Sequence, residues 1–354
     1  MKLKAIIFLI CAICCLSAAS RPVRNSLSII YQPDGSSFMA KCYGDEFMRI
    51  KTTLGGHAVV KDPEGWWCYA IYEPDGSKTS SGIHIGSDAP AEVLNRSMNI
   101  PYQQINANAQ KLRSAGHKEG VLPFMQRTGM ATKSHTKATK HGLVILAQYK
   151  DVPFKHSREN FVDMLTKEGY DRNGATGSAM EYFNAQFGNS VDFSFEVSEI
   201  VTLPSNRKYY GENNNYGQDA RPAEMIYDAC MGADPSIDFS LYDDDNDGYV
   251  DNVFVFFAGG DEAELWEEED LIWSHAWYIE SGAGLTLKLD GKNIDRYACT
   301  AELSYNALAG IGTFCHEYSH TFGLPDFYDT DYDENGWSAG LWCWTSLMDG
   351  GNMN

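Results

Sequence analysis

Two histidines four residues apart, His316 and His320, flank Glu317, and the run continues through Gly323 to Asp326. Side chains at i and i+4 of a helix lie one above the other, so both imidazoles reach one point beside it. Those donors suit a zinc ion, bound at about 2.0–2.1 Å. Glu317 lies next to that point and is placed to act as general base, not as a ligand. Gly323 falls where the helix must stop, because glycine enters the left-handed cap without steric cost. The chain then returns Asp326. Three ligands leave a position open, unlike a structural site closed by four. Cys315 points about 100° away from His316 around the helix and does not serve as the fourth. The chemistry this predicts is hydrolysis by a metal-activated water whose proton Glu317 takes, with peptides, small amides and glycans all open as substrates.

A second cluster is Asp243-Asp244-Asp245-Asn246-Asp247-Gly248-Tyr249-Val250-Asp251. Asp243, Asp245, Asp247 and Asp251 occupy positions 1, 3, 5 and 9 of a calcium loop, with Gly248 at the sharp turn; position 12 is Phe254, so this is a calcium-binding turn and not an EF-hand. The run Glu267-Glu268-Glu269-Asp270 lacks such spacing and reads as a solvated face.

The elements that must carry these groups follow from the rest of the chain. With 354 residues, 44% hydrophobic and 21% charged, it is a globular protein of one large domain and one smaller. The net charge of −20 is unevenly spread: residues 1–141 hold 17 Lys/Arg against 10 Asp/Glu, residues 205–354 hold 6 against 29. An acidic catalytic half argues against nucleic acid as partner, since phosphates would be repelled. Residues 1–20 read as a secretory signal, with Lys2 and Lys4, an apolar run from Ala5 to Leu16 and small residues at Ser17-Ala18-Ala19-Ser20. The run is too short to span a bilayer. The residues before Cys14 and Cys15 do not make a convincing lipobox, so a secreted protein is expected, with a lipid-modified N-terminus as the weaker alternative. Of nine cysteines, four (Cys230, Cys299, Cys315, Cys343) fall in the acidic segment, where three pairings are open.

Residues 21–125 begin with short alternating runs broken by Pro33-Asp34-Gly35 and Pro74-Asp75-Gly76, which predicts a small β-rich domain without a metal-ligand cluster of its own. Residues 88–141 read as an exposed polar linker, and 126–141 as a basic activation segment cut by a protease. Residues 142–354 open with the apolar run Gly142 to Tyr149 and alternate strands and helices: helices at 157–167, 177–187 and 221–231, strands at 193–203 and 250–258, and the metal helix from about Ala307 to Phe322. This predicts an α/β (α+β) domain. A basic segment facing an acidic half also suggests latency, with either Cys42 or Asp45 taking the open metal position.

The motif HEYSHTFGLPDFYD, His316 to Asp329, resembles the zinc signature of the immune inhibitor A-like secreted bacterial metallopeptidases, relatives of the metzincins. Tyr43-Gly44-Asp45-Glu46-Phe47 with Gly65-Trp66-Trp67 is similar to that family's propeptide. The run from Asp245 to Val253 is similar to its acidic turn and strand, and Gly340-Leu341-Trp342 with Ser346-Leu347-Met348 to its methionine turn. The resemblance implies a zincin-like fold and zinc endopeptidase activity on protein substrates. It also implies His316, His320 and Asp326 as ligands, Glu317 as base and Met348 as an apolar floor. Asp329 competes with Asp326 for the third ligand. The domain is expected to continue beyond Asn354, which would make this chain a fragment. The rival from another class is a calcium-stabilised secreted adhesin that keeps the fold without turnover; the intact Glu317 speaks against it.

Overall fold

The apolar run at 142–149 lies within strand β7 (Ala138–Gln148), and its side chains explain why it reads as continuously hydrophobic. Leu143, Ile145 and Ala147 enter one core while Val144 and Leu146 enter another. Successive residues of a strand face opposite ways, so a strand covered on both sides is apolar throughout. Strand β9 (Val253–Gly260) repeats the pattern, with Val253, Val255 and Phe257 on the first face and Phe254 and Phe256 on the second. The computed structural model describes residues 23–115, 138–188, 190–328, 330 and 345–353. The signal segment, residues 126–137, Asp329, Cys343 and Gly340-Leu341-Trp342 lie outside them.

Beside β7 and β9 stand β8 (Val191–Thr202), β13 (Arg296–Ser304) and the short β10 (His275–Tyr278), in the order β10-β13-β9-β7-β8. The pairs within β8-β7-β9-β13 are parallel, and β10 runs antiparallel along one edge. Three helices, α3 (Arg158–Thr166), α4 (Ala179–Gln186) and α8 (Ile311–His320), pack on the face of Val144 and Phe254; α6 (Pro222–Ala233) packs on the other. The domain is mixed α/β. The expected helices and strands all form, with ends shifted by a few residues. The metal helix starts at Ile311, four residues later than expected, because Tyr305 and Asn306 turn through positive φ and Ala307–Leu308 pairs back on β13 as β14.

The first segment is β-rich as expected: β1 (Val23–Tyr31), β2 (Ser37–Asp45) and β3 (Met48–Thr53) form one antiparallel sheet, β4 (Val59–Lys61), β5 (Trp67–Tyr72) and β6 (Lys78–His84) another. Two expectations are corrected. Residues 91–98 and 102–115 are helices α1 and α2, not exposed linker, because Ile105 and Ala109, four apart, bury against Met48 and Ile50. Residues 138–141 begin β7, and Lys140 is buried against Asp251. The five described cysteines are buried free thiols. No helix among the described residues is long and apolar enough to cross a membrane.

The charge asymmetry has a structural counterpart. Arg49 and Lys51 of β3 project into the acidic half, where Arg49 meets Glu262 and, at 2.8 Å, Asp219; Lys51 lies 2.9 Å from Glu269. Arg49 also covers the Trp273 ring at 4.8 Å. Arg49, Lys51 and Glu262 are each at most 1% exposed. Removing one partner of a buried pair strands the other charge. Arg49→Ala is therefore expected to lower stability by about 3–5 kcal/mol in denaturant unfolding, with part recovered by adding Glu262→Gln. A loss within the about ±0.5 kcal/mol of ordinary surface substitutions would show that the cluster does not hold the two halves together.

Candidate metal centre

Helix α8 is held to the sheet by its aromatic side chains. Phe314 and Tyr318 pack on Phe195 and Phe254, and a Cβ at Gly142 of β7 would meet the Phe195 ring at 2.5 Å and the Tyr318 hydroxyl at 3.0 Å. Glycine there leaves room for the Phe195 ring of β8, on which the helix rests. The opposite face presents His316, Glu317 and His320. After the helix, Gly323 takes φ +83°, the left-handed cap expected of it, and the chain turns back to Asp326.

Asp326 Oδ1 lies 3.1 Å from His316 Nε2 and 3.4 Å from His320 Nε2. Each imidazole is set by its other nitrogen: Nδ1 of His316 is 2.7 Å from the Leu347 carbonyl, and Nδ1 of His320 is 2.7 Å from the Leu324 carbonyl. A carbonyl only accepts, so Nδ1 carries the proton and Nε2 is left to act as ligand. One donor atom from each residue of the set thus falls within 4.8 Å of the others. Glu317 is buried beside them, and its Oε1 meets no hydrogen-bond partner among the described residues. Imidazole, imidazole and carboxylate, with an orphaned carboxylate alongside, fit a divalent cation and a water better than they fit one another. In the bare site burial lowers the pKa of His320, but the charge of Asp326 outweighs it and holds His320 up at about 10. Burial also acts on Asp326, and the two imidazoles outweigh it, holding its carboxyl far below the usual range. The proton on this pair is the one a metal displaces.

Met348 is buried just beyond Leu347, and its carbonyl accepts from Phe327 N–H at 2.8 Å. This loop therefore orients His316 and braces the segment that bears Asp326. The acidic turn brings Asp243, Asp245 and Asp247 within 4.8 Å, with Asp243 also 2.6 Å from Lys292 Nζ. Asp251, also expected there, is not among these three: it pairs with Lys140 and accepts from Asp244 N–H.

The two latency candidates are placed elsewhere. Cys42 is sealed among Trp67, Trp266 and Trp273, where burial pushes its thiol up to about 12, so no thiolate forms. Asp45 is occupied by the N–H groups of Phe47 and Met48 and by Arg113. The neighbouring Glu46 shares a cavity of about 340 Å³ with His320 and Asp326, along with Phe47, Trp277 and Tyr278. Burial, then the charges of Asp45 and Asp326, raise its carboxyl well above the ordinary range. Sequence reasoning missed Glu46 because Asp45 next to it offers the same chemistry. It also missed a set within the β-rich domain, where Asp62, Cys68 and His84 fall within 4.8 Å; Cys68 and His84 are partners across β5 and β6, which linear spacing does not reveal.

Residues 132–354 match the model for the immune inhibitor A peptidase M6 catalytic domain. The chain belongs to the M6 peptidase family. Among its relatives is immune inhibitor A of Bacillus thuringiensis subsp. alesti, 29% identical over 253 residues that cover 59% of this chain and 36% of that protein. Another is the pre-pro-metalloprotease PrtV of Vibrio cholerae serotype O1 (strain ATCC 39315 / El Tor Inaba N16961), 27% identical over 261 residues, 61% of this chain and 28% of PrtV. The matched part thus spans about a third of the length of these relatives. With Asp326 as third donor, Asp326→Asn is expected to weaken metal binding by more than the roughly 10–100-fold typical of outer-shell partners. Competition against a chromophoric chelator measures this, and unchanged affinity would remove Asp326 from the set.

Proposed function

We propose that this chain is a secreted zinc-dependent endopeptidase of zincin-like fold, made as a zymogen and acting on extracellular proteins. The observation that carries the reading is the convergence of His316 Nε2, His320 Nε2 and Asp326 Oδ1 beside the buried Glu317, whose Oε1 meets no hydrogen-bond partner among the described residues. Membership of the M6 family and the printed name of PrtV, a metalloprotease, support it.

When bound, zinc supplies Lewis acidity that stabilises developing negative charge and lowers the pKa of water towards about 7. The chain's own groups do the rest. Glu317 takes the proton from the attacking water and delivers it to the leaving nitrogen, and its buried position keeps that proton from bulk solvent. Leu347 and Leu324 carbonyls fix the imidazoles, so the ligand geometry needs no rearrangement during the reaction. The edge strand β10 runs beside the same cavity through Ala276, Trp277 and Tyr278, where an extended peptide could pair with it.

Glu317→Gln keeps shape and ligands but removes the base. It is expected to retain zinc by elemental analysis and to lose at least about 100-fold in casein cleavage, within the range general-base catalysis contributes. Wild-type turnover from that variant would refute the assignment of the base. Cleavage that a chelator abolishes separates this reading from a calcium-stabilised binding module, which would not cleave at all.

The zymogen reading extends to the segment before β7, where an activating protease would cut. The same reading takes Asp243, Asp245 and Asp247 as calcium ligands, with the ion replacing the Lys292 ammonium at Asp243. Calcium at about 100 times its dissociation constant is then expected to add about 2.7 kcal/mol of stability. Asp245→Asn should abolish that gain in a thermal melt, and a wild-type melt indifferent to calcium would sink this part alone.

A further inference from the structure

Asp62, Cys68 and His84 lie in the β-rich first segment, outside the residues 132–354 that match the peptidase family, yet one ligand atom from each falls within 4.8 Å of the other two. They come from three places in one sheet. Asp62 follows directly on β4, Cys68 is in the central strand β5, and His84 ends β6. Cys68 and His84 are register partners, so their side chains leave the same face of the sheet. The turn between β4 and β5 places the other contacts. Trp66 N–H donates to Asp62 Oδ1 at 2.8 Å, which leaves Oδ2 for Cys68 Sγ at 3.5 Å. The Trp66 ring lies flat on the His84 imidazole, centroids 4.1 Å apart and 5° from parallel.

A thiol hydrogen bond accounts for Cys68 and Asp62 but leaves His84 unexplained. Neither ring nitrogen of His84 meets a hydrogen-bond partner among the described residues. Burial raises the Cys68 thiol above its ordinary range and the charge of Asp62 adds to this, so without a cation the thiol keeps its proton. A metal ion takes that proton's place. Thiolate, imidazole and carboxylate together are a zinc donor set, and the soft sulfur disfavours magnesium and calcium. With Zn–S at about 2.3 Å and Zn–O at about 2.0 Å, two tetrahedral donors stand about 3.5 Å apart. Cys68 Sγ and Asp62 Oδ2 already have that separation. One thiolate and one carboxylate also neutralise the ion. Asp62 and His84 are half-buried, so the ion can enter from solvent, and a water fills its fourth position.

We propose that Asp62, Cys68 and His84 bind a zinc ion in the first segment, separate from the peptidase metal centre. The ion joins all three strands of the β4–β5–β6 sheet, of which β4 has only three residues. Trp67, next to Cys68 and on the opposite face of β5, packs with Trp266 and Trp273. The ion thus stiffens the strand that carries this contact with the peptidase domain. Binding releases the Cys68 proton to water, and nothing is oxidised or reduced. It is independent of His316, His320 and Asp326.

The test loads the full chain, carrying Glu317→Gln to prevent self-cleavage, with cobalt(II) in the presence of a phosphine reductant. His316, His320 and Asp326 offer no sulfur, so a near-ultraviolet sulfur-to-cobalt charge-transfer band reports the new site and not the peptidase centre. The expected result is that band, together with two zinc ions per chain by elemental analysis when zinc is supplied instead. Adding Cys68→Ser should remove the band and one of the two zinc ions. Adding His84→Gln, at a half-buried ring, should weaken the cobalt affinity read from the band by at least about 100-fold, beyond what outer-shell partners typically contribute. No band in the chain that keeps all three residues would overturn the proposal, as would a band that survives Cys68→Ser. Should Cys68→Ser not fold, His84→Gln still decides, and an affinity unchanged by it overturns the proposal. A band that disappears with Cys68→Ser in a chain binding a single zinc ion would support this site and overturn the peptidase metal centre instead.

Discussion

The candidate site depends on two hydrogen bonds that involve no functional side chain other than the histidines themselves. Carbonyl oxygens of Leu347 and Leu324 each hold an imidazole by Nδ1, and this fixes which nitrogen of each ring faces Asp326. The tautomer and the ring angle are settled before any metal arrives. Both carbonyls lie C-terminal to the helix, in segments that must fold back over it. The turn at Gly323 returns one, and the loop ending in Met348 returns the other, with Phe327 N–H bonded to the Met348 carbonyl to tie the two segments together. Beneath them, α8 is seated on the sheet by Phe314 and Tyr318, which rest on a Phe195 ring that glycine at position 142 makes room for. Cavity, loop and helix are thus one construction, and altering any layer moves the imidazoles.

The first segment is attached to this construction by buried charge as well as by an apolar cluster in which Trp67 and Ile30 meet Trp266 and Trp273. Arg49 and Lys51 reach into a pocket of Glu262, Glu269 and Asp219 that excludes water. Such pairs add little net stability, because desolvation offsets much of the attraction, but they penalise misalignment strongly. A wrongly docked hairpin would leave several charges buried and unpaired. The cluster is therefore better suited to fixing one docked position than to tightening it, and a fixed position is what Asp45, Glu46 and Phe47 require in order to meet the cleft.

Much of this was legible in the sequence, for reasons that differ by element. His316, Glu317 and His320 could be read because helical spacing alone brings them together, and Gly323 because a single residue type meets the conformational need. Strands β7 and β9 were legible from unbroken apolar runs. The helices α1 and α2 were not, because their polar composition hides a short buried stripe at Ile105 and Ala109. Asp251 fitted the calcium spacing, but spacing cannot reveal that Lys140, more than a hundred residues away, claims its carboxylate. Glu46 and Asp45 are the same chemistry one position apart, and which of them faces the cleft is decided by the hairpin and by Arg113.

The Lys140–Asp251 pair also bears on where the chain can be cut. The basic run before the peptidase domain includes Lys133, Lys137 and Lys140, and composition treats the three alike. In the fold they differ: Lys140 is 2% exposed, and it lies in a strand whose residues pair in register with β8 from Ala138 onward. A protease needs an extended, accessible backbone, and a strand with a neighbour in the sheet cannot supply one without unfolding locally. Cleavage at Lys140 would also release the partner of Asp251 and leave that carboxylate buried beside Asp244. On the proposed zymogen reading, a cut N-terminal to β7 would leave Lys140 with the peptidase domain as part of its core.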